Sequence, residues 1–149
     1  MEIRYLTMPE IKEATKMIWD VFTEFVGVSY STLGNDTFAQ FLHNDEALAK
    51  LVFIGAVIDE KIIGIIALDR NRNHISLFFV TKSFQHQGIG RKLFAFMLSQ
   101  EQLSRVTVNA ALNACRIYQQ LGFTATDAEQ LKDGIRYQPM VYTGLENPY

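Results

Sequence analysis

The sequence predicts an α/β domain with a mixed central β-sheet flanked by helices, in the order βααβββαβαββ. Three observations predict it. Apolar residues recur at helical spacing in some segments and form short strand-like runs in others. Turn residues separate these segments at short intervals, with no repeat, linker or low-complexity run between them. The chain of 149 residues is the size of one domain with a real core, so residues 1–149 are expected to fold as one unit.

The elements follow in order. Residues 2–6 (EIRYL) alternate and read as a first strand. Thr7 and Glu10 have capping-box spacing, and Pro9 suits an early helical position. Ile11, Ala14, Ile18, Val21, Phe22 and Phe25 then make one helical stripe that ends near Gly27. Residues 28–35 (VSYSTLGN) read as a loop, and a second helix is expected from about Asp36 to Lys50. Residues 51–69 read as two apolar strands joined by a tight turn at Asp59 and Glu60. A third strand covers 74–80 (HISLFFV). The loop that follows opens a helix with Ile89, Leu93, Phe94 and Met97 inward. A short strand at 104–109 and a helix from Ala111 to Leu121, closed by Gly122, come next. Residues 123–130 and 135–143 form a last hairpin, turned at Asp133-Gly134.

Composition narrows the function classes. The chain is 48% hydrophobic, 20% charged and 12% aromatic, an ordinary globular balance. Fourteen bases against sixteen acids give a formal charge of −2, without the basic footprint of a nucleic-acid binder. The single cysteine, Cys115, forms no internal disulfide and suits a reducing, cytoplasmic setting. The charged opening segment MEIRYLTMPEIKEA does not read as a signal peptide, and the apolar runs are too short for a membrane span. The three histidines, His43, His74 and His86, have no metal-ligand spacing, so no metal is expected.

The net charge hides a split. Residues 1–69 hold five bases and eleven acids, net −6, while residues 70–149 hold nine bases and five acids, net +4. Within 70–120, seven bases face the single acid Glu101. An anionic ligand held by the second half accounts for this, and a cationic ligand would suit the acidic first half.

The segment Gln85-His86-Gln87-Gly88-Ile89-Gly90-Arg91-Lys92 lies between a strand and a helix. Glycines there let a phosphate approach the free amides of the first helical turn, where the helix dipole adds attraction. A tight strand-to-helix turn would use the same glycines. The lysine and hydroxyl residue of a Walker loop are missing, and Leu93 stands where a dinucleotide fingerprint needs its third glycine.

Gln85-x-x-Gly88-x-Gly90, after a strand ending Phe79-Val80, resembles the pyrophosphate motif of the Gcn5-related N-acetyltransferase (GNAT) superfamily. Asn109, Ala114, Tyr118, Leu121, Gly122 and Phe123 resemble that family's second conserved segment, and GIRYQPMVY (134–142) the last strand of small bacterial single-domain members. The resemblance covers nearly the whole chain. It implies a GNAT-like fold and direct transfer of an acetyl group from acetyl-coenzyme A to an amine of a small molecule or peptide. It further implies that Gln85, Gln87 and the backbone from Gly88 through Ile89, Gly90 and Arg91 to Lys92 hold the pyrophosphate. Phe79 and Val80 would pair with the pantetheine arm, and the Val80 amide would stabilise the oxyanion. Either Asn109 or Asn113 could bond the pantetheine amides, although Asn113 could equally be a solvated residue at the start of its helix, and Tyr118 would protonate the departing thiolate. Glu24, Asp36, His43, Asp69 and His74 remain equal candidates for the base. The strand HISLF has no acid where many members carry a carboxylate, so a regulatory module that binds acetyl-coenzyme A without turnover remains the alternative. A homodimer stays open. Cys115 reads as a core residue of its helix.

Overall fold

Side chains near Thr7 set the first boundary. The Thr7 amide donates to the Glu10 carboxylate at 3.0 Å, its hydroxyl donates at 3.1 Å, and Arg4 closes on the same carboxylate at 2.6 Å. The Arg4 guanidinium, then the Thr7 amide, hold Glu10 at a pKa of about 2. Strand β1 (Glu2–Tyr5) ends here and helix α1 (Met8–Phe25) begins. The computed structural model describes residues 1–144, so the last five residues of the predicted span 1–149 lie outside the described residues.

The second predicted helix is two helices. Ser31 accepts from the Gly34 amide and caps α2 (Thr32–Leu42), which starts four residues before Asp36. Asn44 accepts from the Ala47 amide and starts α3 (Asp45–Ala49). The predicted loop 28–35 is thus a 3₁₀ turn followed by the start of α2.

Strands β2 (Val52–Ile58), β3 (Lys61–Asp69) and β4 (His74–Val80) form an antiparallel meander. The β2–β3 turn places Asp59 and Glu60 at φ of 48° and 64°, a primed turn that fits the strand twist. Helix α4 (Ile89–Gln100) follows β4. Strand β5 (Val106–Ala111) leads through a 3₁₀ turn into α5 (Cys115–Leu121), shorter at its start than predicted. The strand expected at 123–130 is two pieces, β6 (Thr124–Ala125) and β7 (Gln130–Lys132), which both pair with β8 (Ile135–Tyr142).

The sheet order is β1-β2-β3-β4-β5-β8-β6, with β7 also on β8. Every pair is antiparallel except β4–β5. Two cores cover its faces. Ile11, Ala14 and Ile18 of α1 pack on Phe53, Ile65, Ala67 and Leu77. Leu93, Phe94 and Met97 of α4 pack with Tyr118 and Phe123 on Ile54, Ile66, Ile75 and Val108 of the other face.

The β7–β8 turn is fastened to the start of α2. Thr37 donates to the Asp133 carbonyl at 3.2 Å, and Ser31 to the Gly134 carbonyl at 3.2 Å. Gly34 and Gly134 meet backbone to backbone, so a Cβ on Gly34 would collide with the Gly134 carbonyl oxygen. Gly34→Ala therefore forces the hairpin off α2. Overpacking of this kind costs about 1–3 kcal/mol, a fall in Tm of roughly 3–10 °C. Thermal denaturation checks this, and an unchanged Tm would mean that the hairpin moves freely.

Candidate active site

One gap in the sheet organises the site. β4 and β5 pair at only two positions, His74 with Thr107 and Ile75 with Val108. Beyond them the strands part, while β5 stays joined to β8 over six residues. A bulge at Ser76 helps to turn β4, because β3 residues Ala67 and Leu68 pair with Leu77 and Ile75.

The parting leaves backbone groups without a strand partner. The Thr81 amide donates to the Ile63 carbonyl at 2.8 Å, so Thr81 and Phe79 turn their peptide groups toward β3. By alternation, Phe78 and Val80 turn theirs into the gap. The Gln85 side chain already uses the Val80 carbonyl, donating to it at 2.9 Å.

At the end of the gap stands the start of α4. His86 and Gly88 have φ of 64° and 80°, so the chain curls before the helix. A glycine at 88 takes the left-handed conformation without strain. The first helical bond is Lys92 N–H to Gly88 C=O at 3.1 Å. Among the described residues, the amides of Ile89, Gly90 and Arg91 have no acceptor. Ile89 is buried in the core, Gly90 lies against the Phe78 ring, and Gln87 is exposed and donates to the Ser83 carbonyl at 3.2 Å.

The basic segment is partly neutralised. Arg70 pairs with Glu101, Arg72 with Asp69 and Lys82 with Glu24. Among the described residues, Arg91 and Lys92 have no ion pair, although Arg91 donates to the Gln120 carbonyl at 3.2 Å. Positive charge without an internal counterion therefore remains beside the free amides.

A cavity of about 580 Å³ runs through the gap, with Phe22, Phe38 and Phe79 on the α1–α2 side and Phe78, Ala114 and Tyr118 on the other. Asn109 is exposed and lines it. Asn113 does not line it, and its side-chain amide donates instead to the Phe25 carbonyl. Of the five candidate bases, only His74 reaches this cavity. None of the eleven acids of residues 1–69 lines it, so the acidic half does not bring its charge to this space.

Two titratable groups in the cavity are shifted, both chiefly by burial. The phenol of Tyr118 is pushed well above its usual range by desolvation, with smaller contributions from Cys115 and Tyr30. Among the described residues its hydroxyl has no hydrogen-bond partner, while its ring packs edge-on against Phe78 and Phe123. The imidazole of His74 is lowered to about 4, first by burial and then by Arg72. Its Nδ1 lies 2.8 Å from the Thr107 hydroxyl. The sequence marked Tyr118 by its motif. It gave His74 no signal beyond membership of a list.

The comparisons agree with this architecture. A family model described as an acetyltransferase (GNAT) domain matches residues 26–143. A Gcn5-related N-acetyltransferase structure from Rhodopseudomonas palustris superposes with a TM-score of 0.81 at 14% identity, over 95% of this chain and 94% of that one. The PaiA N-acetyltransferase of Thermoplasma acidophilum, solved with coenzyme A, gives 0.76 at 18% identity, over 95% and 98%. Apo YjaB from Escherichia coli gives 0.75 at 19%, over 96% and 97%. A comparison with curated protein sequences finds no significant match.

The buried histidine has a measurable consequence. An unfolded chain binds a proton at His74 near pH 6.5, whereas the folded chain does so only near pH 4. Between these values the unfolded state holds more protons, so stability falls as pH falls. Wild type is expected to lose stability relative to His74→Gln across that window, read as the difference in Tm. A difference independent of pH would place His74 in water. With the parted strands, the helix start and the family match, the chain belongs to the GNAT acetyltransferase family.

Proposed function

We propose that the protein is an N-acetyltransferase, a single cytoplasmic domain over residues 1–149. It moves the acetyl group of acetyl-coenzyme A directly to the primary amine of a small molecule or peptide. The observation that carries this reading is the opening between β4 and β5, with free amides at one end and a buried, unpartnered phenol in its wall. The residues fit the cosubstrate. Ile89, Gly90 and Arg91 offer backbone donors to a diphosphate at a helix start, and Arg91 and Lys92 add charge. Gln85 and Gln87 buttress that loop through their bonds to the Val80 and Ser83 carbonyls.

The pantetheine arm carries amide groups that suit the exposed peptide edge of β4. Phe79 supplies side-chain wall, while the amides of Val80 and Phe78 supply the donors. An amide fixed toward the thioester carbonyl stabilises the oxyanion as the amine attacks, worth about 3–4 kcal/mol where such donors have been removed. Asn109 stands free to bond the arm from the β5 side. Asn113 is committed to Phe25 and buttresses α1 instead.

Tyr118 donates toward the departing sulfur. Its raised pKa keeps the phenol protonated at neutral pH. The apolar wall that raises it also raises the basicity of the departing thiolate above its usual value of about 8.5, which limits the gap that the proton transfer must cross. His74, neutral at pH 7, accepts the proton of the amine through water. An amine entering the same apolar space loses basicity in turn, so a weak base suffices.

Thiol release from acetyl-coenzyme A over a panel of amines tests the reading. Tyr118→Phe should keep cosubstrate affinity by calorimetry and lose at least about tenfold in kcat. Equal turnover would remove Tyr118 from the mechanism. Binding of acetyl-coenzyme A without thiol release on any amine would instead favour a regulatory module.

A further inference from the structure

We propose that the acceptor is an apolar amine that carries a carboxylate, in chemical terms a free amino acid with an aromatic or branched side chain. This deepens the acetyltransferase reading and rests on it.

The lining of the cavity carries the inference. Its wall includes the rings of Phe22, Tyr30, Phe38, Phe41, Phe79 and Tyr137. These rings are not an open cage for a cation. Phe22 and Phe38 stack at 3.9 Å with an interplanar angle of 13°, and Trp19 stacks on both of them. With the faces of Phe22 and Phe38 taken up by one another and by Trp19, this part of the wall offers apolar contact more than cation–π attraction.

The charged groups point the same way. Among the described residues, Arg72, Lys132 and Asp133 are the charged groups of the lining, and the Arg72 charge is already met by Asp69. Lys132 has no ion pair among the described residues, and Arg72 shares Asp69. A polyamine would meet the unpaired cation of Lys132 and lose its hydration against phenyl rings. An amino acid instead places its side chain on the rings and its carboxylate toward Lys132 and Arg72. A cavity of about 580 Å³ is in the range of sites that hold small ligands.

Direct transfer balances with such an acceptor. The neutral α-amine forms an N–C bond to the acetyl carbon as the C–S bond breaks. One amine proton leaves toward His74 through water, and the sulfur departs with a proton from Tyr118. The products are an N-acetyl amino acid and coenzyme A with a free thiol, and solvent restores the protons.

The hairpin that carries Lys132 is fastened to α2 by Ser31 and Thr37, so its backbone is held at the rim of the cavity. Matched pairs separate the carboxylate from the side chain: L-phenylalanine with phenethylamine, and L-leucine with isoamylamine. Spermidine serves as the polycation. The carboxylated member of each pair should show at least about tenfold higher kcat/KM, as a charge-assisted contact of about 1.5–3 kcal/mol implies. Lys132→Ala should shrink that ratio, through the KM of the carboxylated amine. Equal rates within both pairs, or the highest kcat/KM on spermidine, would overturn the acceptor class and leave the acetyltransferase reading standing. No thiol release on any of the five would overturn the acceptor class, and no release on the wider amine and peptide panel would overturn both.

Discussion

The parting of β4 from β5 after two residue pairs is the constraint on which the rest depends. A sheet interior seldom leaves peptide groups unpaired, because a buried donor without a partner is costly. Here β4 is pinned to β3 on one side and released on the other. β5 is meanwhile held by β8 over its full length. The two halves of the sheet therefore meet as a wedge, and the exposed peptide edge suits a ligand with amides of its own. The bulge at Ser76 sits just beyond the last β4–β5 pair, where a small change in strand direction opens the space.

Much of this was legible in the sequence, and the exceptions have physical reasons. The strand-to-helix glycine segment, the primed turn at Asp59-Glu60 and the helix end at Gly122 are local, and each stands where its residues predict. The second helix was misplaced because two competing caps, Ser31 and Asn44, decide its ends. An apolar stripe does not reveal a two-residue break. β6 is only two residues long and is created by its partner β8, so it has no pattern of its own. The split charge was read correctly as a sum and incompletely as a place. Three of the seven bases in 70–120 are spent on ion pairs, and the acids of the first half stay out of the cavity.

The site shows the same limit more sharply. Asn109 and Asn113 differ by four positions and looked equivalent, yet β5 presents one to the cavity while the other reaches the end of α1. His74 is the first residue of β4, and spacing did not set it apart from the other candidate bases. Its burial comes from Thr107, a partner thirty-three residues away on the neighbouring strand. Non-local pairing of that kind leaves no local mark.

His74 and Tyr118 are moved in opposite directions by one cause. Burial disfavours the charged form of each, so the imidazole goes down, the phenol goes up, and both are neutral at pH 7. The same walls act on whatever enters. An ammonium becomes more acidic there, and a thiolate becomes more basic. Those are the changes an acyl transfer from a thioester to an amine requires at its start and at its end. In the proposed reaction the apolar cavity would prepare the nucleophile and the leaving group together. Strong charges would work against that, so charge stands at the rim, at Arg91 and Lys92 on one side and at Arg72 and Lys132 on the other.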